Sequence, residues 1–201
     1  MGAGKRLHNS GTKEVVEGIH VEDAADISSR ADYGIHYMII YSDLTTLREF
    51  YSHYIKRRIK EYNDIVLFAP FYETTDSVRR TLSEGHMTID VSRCEEEGTL
   101  VIIDSLKNYF SPKESDWSLK ERMVKHAKKI GKSGFSIIGD VGAFPYVKKS
   151  NKLVDYELSL PCKYEMALKG FCLYHQNDFN ILSDDQKQKL IEHHGLAIRI
   201  A

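Results

Sequence analysis

Two rhythms alternate along this chain: short solid apolar runs, and longer stretches in which apolar residues return every three or four positions. The run IHYMIIYS (35–42) is apolar or aromatic on both alternating faces and rich in β-branched side chains, as a strand covered on two sides must be. Asp43 follows as an N-cap, and Leu44, Leu47, Phe50, Tyr51, Tyr54, Ile55 and Ile59 form one stripe on a helix reaching about residue 62. IVLFAP (65–70) is a second buried strand closed by Pro70, and a short helix over 75–84 turns Val78 and Leu82 inward and stops at Gly85. A third strand, TLVIID (99–104), ends in an acid. Ser115 and Asp116 cap a helix to about Lys129, with Leu119, Met123, Val124, Ala127 and Ile130 on one face and Gly131 near its end. FSIIGD (135–140) is the fourth strand, followed by a helix over 150–160 that ends near Pro161, and ALKGFCLYH (167–175) is the fifth. Ser183 with Gln186 makes a capping box for a last helix ending at His194 and Gly195, and LAIRI supplies a sixth strand.

Strands separated by helices of this length build parallel βαβ units, so the pattern predicts an α/β protein: a doubly wound, mostly parallel sheet with helices on both faces. The closing elements are able to add an antiparallel edge. Residues 31–201 form a single domain in this reading, and residues 1–30 a partly helical N-terminal extension. Thr12 would cap a short helix there bearing Val15, Val16 and Ile19, a stripe with no evident partner. It is left to pack on the domain, to mediate self-association or to remain partly disordered.

Composition narrows the classes of partner. With 201 residues, 42% of them hydrophobic, the chain is long enough for one substantial core. Its 28 basic and 29 acidic residues leave a formal charge of -1, which gives no net pull on nucleic acid or an anionic membrane. The basic run Lys56-Arg57-Arg58-Ile59-Lys60 reads as a solvated helix face. No stretch approaches the roughly 18–20 apolar residues of a spanning helix, and MGAGKRLHNSG lacks the apolar centre of a secretory signal, so the expected location is cytoplasmic. Cys94, Cys162 and Cys172 are odd in number and widely spaced, as reduced thiols are. Met1-Gly2 would suit an acylation signal, but Arg6 stands where that signal needs Ser or Thr.

Open α/β sheets bind ligands beyond the carboxyl ends of their strands. A nucleoside triphosphatase of this architecture needs a glycine-rich loop after the first strand, whose backbone N–H groups wrap the phosphates, and a lysine to meet their charge. Here that loop is YSDLTTL (41–47), without glycine or lysine and with an acidic Asp43, so the P-loop is degenerate. Gly131-Lys132-Ser133 is no substitute: His126 stands at the leading glycine, and the segment lies between a helix and a strand in the wrong order. The run LVIIDS (100–105) looks like the Walker B strand of RecA and KaiC proteins, with Asp104 in the metal-ligating place. Without a phosphate cradle, an acid capping the next turn is the favoured reading of Asp104. At the end of the fifth strand Cys172 and Tyr174 share a face, and with Asp140 nearby they suit a pocket for a small polar ligand; a core Cys beside a core Tyr is the plainer alternative. The spacing of Cys162, Cys172 and His175 is too irregular to predict a metal site, His193-His194 reads as a helix end favoured by the dipole, and nothing in the sequence establishes a base beside a thiol for hydrolysis. No cofactor and no catalytic residue is expected.

The order of motifs is nevertheless distinctive: His36 opening the first strand, LVIIDSLKNYF, the strand end GDVGAF, the helical Tyr156-Glu157, FCLYHQNDF, and a closing helix ending HHG. Together, over about Tyr33 to Ile200, they resemble the MEDS family, the sensory domain of methanogens, methylotrophs and the regulator DcmR, related to the KaiC/RecA-like ATPases of archaea and bacteria. The resemblance implies a RecA/KaiC-like three-layer fold and a small-molecule-sensing signal-transduction domain thought to respond to hydrocarbon derivatives, lacking the ATPase loops. Such domains occur alone or joined to kinases and transcription regulators. The matching polar positions are His36, Asp140, Glu157, Cys172 and Tyr174, and Tyr41 and Phe144 complete the expected ligand-binding set. The chain departs from the family where Asp140 and Phe144 replace a Glu and a Trp, and where His175 follows Tyr174 in place of an acid. A ligand-binding module acting through a separate signalling protein or its own oligomerisation is thus the leading expectation. Two others stand beside it: a nucleotide-binding switch or ATPase-related enzyme using Asp104 and Asp140, and a scaffold that binds no ligand.

Overall fold

The computed structural model describes residues 13–110 and 116–201. Seven strands, β1 (Val16–Ile19), β2 (His36–Tyr41), β3 (Ile65–Ala69), β4 (Leu100–Ile102), β5 (Phe135–Asp140), β6 (Leu168–His175) and β7 (Leu196–Ile200), form one sheet in the order β1-β7-β2-β6-β5-β3-β4. Every pairing in it is parallel. Ten helices are described: α1 (Val21–Arg30), α2 (Leu44–Lys60), α3 (Thr75–Glu84), α4 (Val91–Glu96), α5 (Ser105–Phe110), α6 (Asp116–Lys129), α7 (Ala143–Tyr146), α8 (Ser150–Ser159), α9 (Gln176–Asn180) and α10 (Asp184–His193). Among the described residues no helix is long and apolar enough to cross a membrane.

Strand parity sorts the core into two layers. Tyr37, Ile39 and Tyr41 of β2, Val66 and Phe68 of β3, and Phe171 and Leu173 of β6 face α1, α2, α3 and α4. Met38 and Ile40 of β2, Cys172 and Tyr174 of β6 and Ala197 of β7 face α8, α10 and the short α7 and α9, while α6 covers Ile65, Leu67 and Phe135. The stripe read on α2 is the buried one, and Asp43 caps that helix by accepting from Thr45 and Thr46. The Ser183–Gln186 capping box of α10 is likewise formed. The cap expected from Ser115 lies outside the described residues.

Three local expectations are corrected. Val16 to Ile19 form an edge strand where a helix was expected, because the outer edge of β7 offers them backbone partners that no local pattern reveals. A helix does follow, α1, whose small residues Ala24, Ala25, Ser28 and Ser29 are buried and which packs closely on α2. The closing strand is not an antiparallel edge: β7 inserts, parallel, between β1 and β2. Finally, the basic run on α2 is not wholly solvated. Arg58 is buried and donates through Nε to Asp64 at 2.8 Å and through Nη1 to the Ser29 carbonyl at 2.7 Å. Lys169 Nζ reaches the Ser28 and Ser29 carbonyls at 2.7 and 3.0 Å, so two cations close the C-terminal end of α1.

Candidate functional site

The layer under α8 and α10 holds a group of polar side chains that sequence distance conceals. His36 opens β2 and lies beside Gly170 of β6, while Cys172 lies between Met38 and Gly139. Glycine is required at these two neighbours: a Cβ on Gly170 would sit 2.7 Å from the Tyr164 hydroxyl, and one on Gly139 would collide with the Tyr109 hydroxyl. The space a side chain would fill is therefore given to tyrosines. Helix α8 brings in Glu157, and the residue that ends α10 brings in His194; both are fully buried.

His36 Nε2 is 3.2 Å from Cys172 Sγ and 3.7 Å from Glu157 Oε2, and His194 Nε2 is 3.3 Å from the same carboxylate oxygen. One atom from each of the four residues fits within a span of 4.8 Å, the arrangement expected of a metal-ligand group. The Leu190 carbonyl, which only accepts, lies 2.7 Å from His194 Nδ1, so that nitrogen carries the hydrogen. Nε2 is the ring atom that faces the Glu157 carboxylate. Among the described residues, neither Glu157 oxygen, nor His194 Nε2, nor the Tyr174 hydroxyl finds a hydrogen-bond partner, although all are buried. Burial, with smaller repulsion from His194, Lys120 and His193, holds His36 well below the usual imidazole range, and burial beside Glu157 and Cys172 holds Tyr174 as a phenol. Beside His36 and Cys172 lies a cavity of about 20 Å³ that Asn108, Tyr109, Lys120 and Tyr156 also line. Above it Phe144 packs with Tyr109, Phe110 and Tyr156 at centroid distances of 5.0, 5.1 and 5.4 Å.

A second polar group occupies the opposite face at the carboxyl ends of β2 and β5. Tyr41 donates to Asp140 Oδ2 at 2.9 Å, Gly142 N–H donates to Oδ1 at 3.0 Å, and Tyr72 donates to Asp178 at 2.6 Å. His175 lies 5.3 Å from the Tyr41 ring and 5.0 Å from the Tyr72 ring. Burial pushes Asp140 up to about 7, against hydrogen bonds from Gly142, Tyr41 and the Phe71 backbone that favour its charged form.

The residues singled out from sequence thus fall into two groups. His36, Glu157, Cys172, Tyr174 and Phe144 gather in one layer, and Tyr41 and Asp140 in the other, because Gly139 and not Asp140 is the β5 residue beside Cys172. Asp104 is exposed, and its carboxylate accepts from Lys107 N–H at 2.9 Å at the start of α5, the capping role. Cys162, Cys172 and His175 are not brought together: Cys162 is exposed and 3.3 Å from His193 Nδ1, and His175 caps α9. His194 ends α10, as its place in the sequence suggests, but its ring turns inward and is fully buried, which nothing in the local sequence reveals.

Comparisons by backbone and by sequence bear on the fold and on the family. The crystal structure of a KaiC-like protein from the hyperthermophilic archaeon Pyrococcus horikoshii is similar to this chain, with a TM-score of 0.51 at 16% identity over 79% of this chain and 70% of that one, which shows a RecA/KaiC-like three-layer fold. No curated protein is a significant match to the sequence. Residues 35–194 match the family model described as the methanogen/methylotroph, DcmR sensory domain; they begin one residue before His36 and end on His194, enclosing the whole buried polar group. The chain belongs to the MEDS family of sensory domains.

Proposed function

We propose that this domain binds a small polar molecule in the layer between the β2–β6–β5 face and helices α8 and α10, and that it passes the signal on without chemical turnover of the ligand. The observation that carries this reading is a buried site with unused polar capacity: the Glu157 oxygens and the Tyr174 hydroxyl, buried without hydrogen-bond partners among the described residues, close to a cavity lined by tyrosines, Asn108 and Lys120. Buried polar groups are almost always paired, so such a group implies an absent partner. A cavity of about 20 Å³ admits few heavy atoms, which suits a ligand of very small size unless α8 moves outward. Glu157 and His194 lie on or just after α8 and α10, which pack on each other, so occupancy would be felt in the position of both helices. A separate signalling protein, a kinase or a transcription regulator, or a second copy of the domain would read that change.

The absence of turnover is supported by the loop after β2. In a phosphate-binding loop the first helical N–H groups face the nucleotide; here Asp43 Oδ1 takes those of Thr45 and Thr46 at 2.8 and 3.0 Å. Native mass spectrometry of the freshly purified protein tests the proposal: a retained small molecule is expected, lost on substitution of Tyr174 and Glu157. Calorimetry with Mg-ATP is expected to give no heat of binding. Micromolar Mg-ATP affinity would overturn the reading in favour of a nucleotide switch.

A further inference from the structure

We infer that His36, Glu157, Cys172 and His194 hold one divalent d-block cation of the Zn²⁺ class. Metal–ligand bonds of about 2.0–2.3 Å in tetrahedral array put neighbouring ligand atoms about 3.3–3.7 Å apart. The separations here are 3.2 Å for His36 Nε2 to Cys172 Sγ, 3.7 Å for His36 Nε2 to Glu157 Oε2 and 3.3 Å for His194 Nε2 to Glu157 Oε2. The widest spacing, within 4.8 Å, needs a closure of about an ångström on binding. The donor set also has the right chemistry. A thiolate and two imidazoles select a borderline cation over Ca²⁺ or Mg²⁺, which prefer oxygen. One thiolate, one carboxylate and a dication sum to zero, which removes the penalty of an uncompensated charge among residues that are all buried. Binding releases the Cys172 thiol proton to solvent.

The surroundings are those of a ligand shell as well. The Leu190 carbonyl that accepts from His194 Nδ1 at 2.7 Å fixes the tautomer in which Nε2 is the donor to a metal, the second-layer contact such histidines regularly make. That Nε2 lies 3.3 Å from a carboxylate oxygen, and both atoms are buried with no hydrogen-bond partner among the described residues. The four ligands come from β2, α8, β6 and the end of α10, so one ion fastens both covering helices to the sheet. The inference rests on the sensory reading only in treating this as the functional site.

The test uses the full chain stripped with a chelator and titrated with Co²⁺, then with Zn²⁺ in competition. The wild type is expected to bind one equivalent of Co²⁺ with the d–d bands of tetrahedral coordination and a thiolate-to-metal charge-transfer band, and Zn²⁺ to bleach both. Cys172→Ser should abolish the charge-transfer band, and Glu157→Gln should weaken binding at least tenfold with the band retained. Cys162→Ser, which alters the exposed thiol beside His193, should change neither. Circular dichroism of each variant establishes that it is folded, and Zn²⁺ should raise the melting temperature of the wild type but not of Cys172→Ser. Failure of the wild type to bind at one equivalent, or a charge-transfer band lost in Cys162→Ser and kept in Cys172→Ser, overturns the inference. A retained organic ligand in a protein that binds no ion would refute the metal site and leave the sensory proposal standing, whereas stoichiometric ion binding with no small-molecule response would do the reverse.

Discussion

Asp140 offers a test in which electrostatics can be separated from packing. Its carboxyl is fully buried and pushed up to about 7 by burial, although Tyr41 and Gly142 both donate to it. In the unfolded chain an aspartate titrates near 3.9, so between about pH 4 and pH 7 the folded protein holds more protons than the unfolded one. The contribution of this group is therefore fully present below about pH 4 and is lost as the pH rises through 7. A shift of about three pH units at 1.36 kcal/mol per unit makes the loss about 4 kcal/mol. Asp140→Asn keeps the shape and an oxygen for the Gly142 N–H, while the Tyr41 hydroxyl can turn to accept from the amide. The variant should match the wild type at pH 4 to within about 1 kcal/mol and exceed it by about 3–4 kcal/mol at pH 8. Urea unfolding at a series of pH values reads the difference directly, because all other titrating groups are common to both proteins. Parallel stability profiles across pH 4–8 would refute the reasoning, since they would mean that Asp140 ionises in the folded state as it does in water.

Other outcomes follow from the same structure. Lys169, pulled down to about 7 by burial and by Arg58, holds the Ser28 and Ser29 carbonyls. Lys169→Met should expose the α1 amides to hydrogen exchange, and its stability deficit should be larger at pH 9 than at pH 6, because a depressed lysine pKa stabilises the fold as the pH rises from 7 towards 10.5. A deficit larger at pH 6 would contradict that sign. Gly139→Ala should lose about 1–3 kcal/mol by driving a methyl group into the Tyr109 hydroxyl, and adding Tyr109→Phe should restore about half; additive losses in calorimetric melting would sink the packing argument. Asp43→Ala removes the carboxylate that caps α2 and should lower stability by about 0.5–2 kcal/mol in urea, so an unchanged midpoint would mean the cap is idle.

How far the sequence could be read depended on whether the cause of each feature was local. The six strands from β2 to β7 and the buried stripe of α2 are written in hydrophobic period, and caps such as Asp43 and Ser183 lie within four residues of the amides they satisfy. Strand β1 escaped because its partner, β7, lies about 180 residues away along the chain, where no local pattern can announce it. Arg58 escaped because a charge in a basic run looks solvated until Asp64 and the α1 carbonyls are seen beneath it. In the site, the motif order of the family pointed to His36, Glu157 and Cys172, but Asp140 was grouped with them when parity puts it on the far face. His194 carries the same lesson from the other side: its role depends on α10 lying against α8, which no periodicity encodes.

The position of β7 has a consequence for how the chain reaches this shape. It is the last strand along the sequence, yet it occupies a place between β1 and β2, the first two. Until it arrives β2 has a bare hydrogen-bonding edge and β1 has nothing to dock on, so β1 joins the sheet only after β7 has done so. Cleaving the chain just before Leu196 would leave one edge of the apolar β2 strand unsheltered, an invitation to intermolecular pairing.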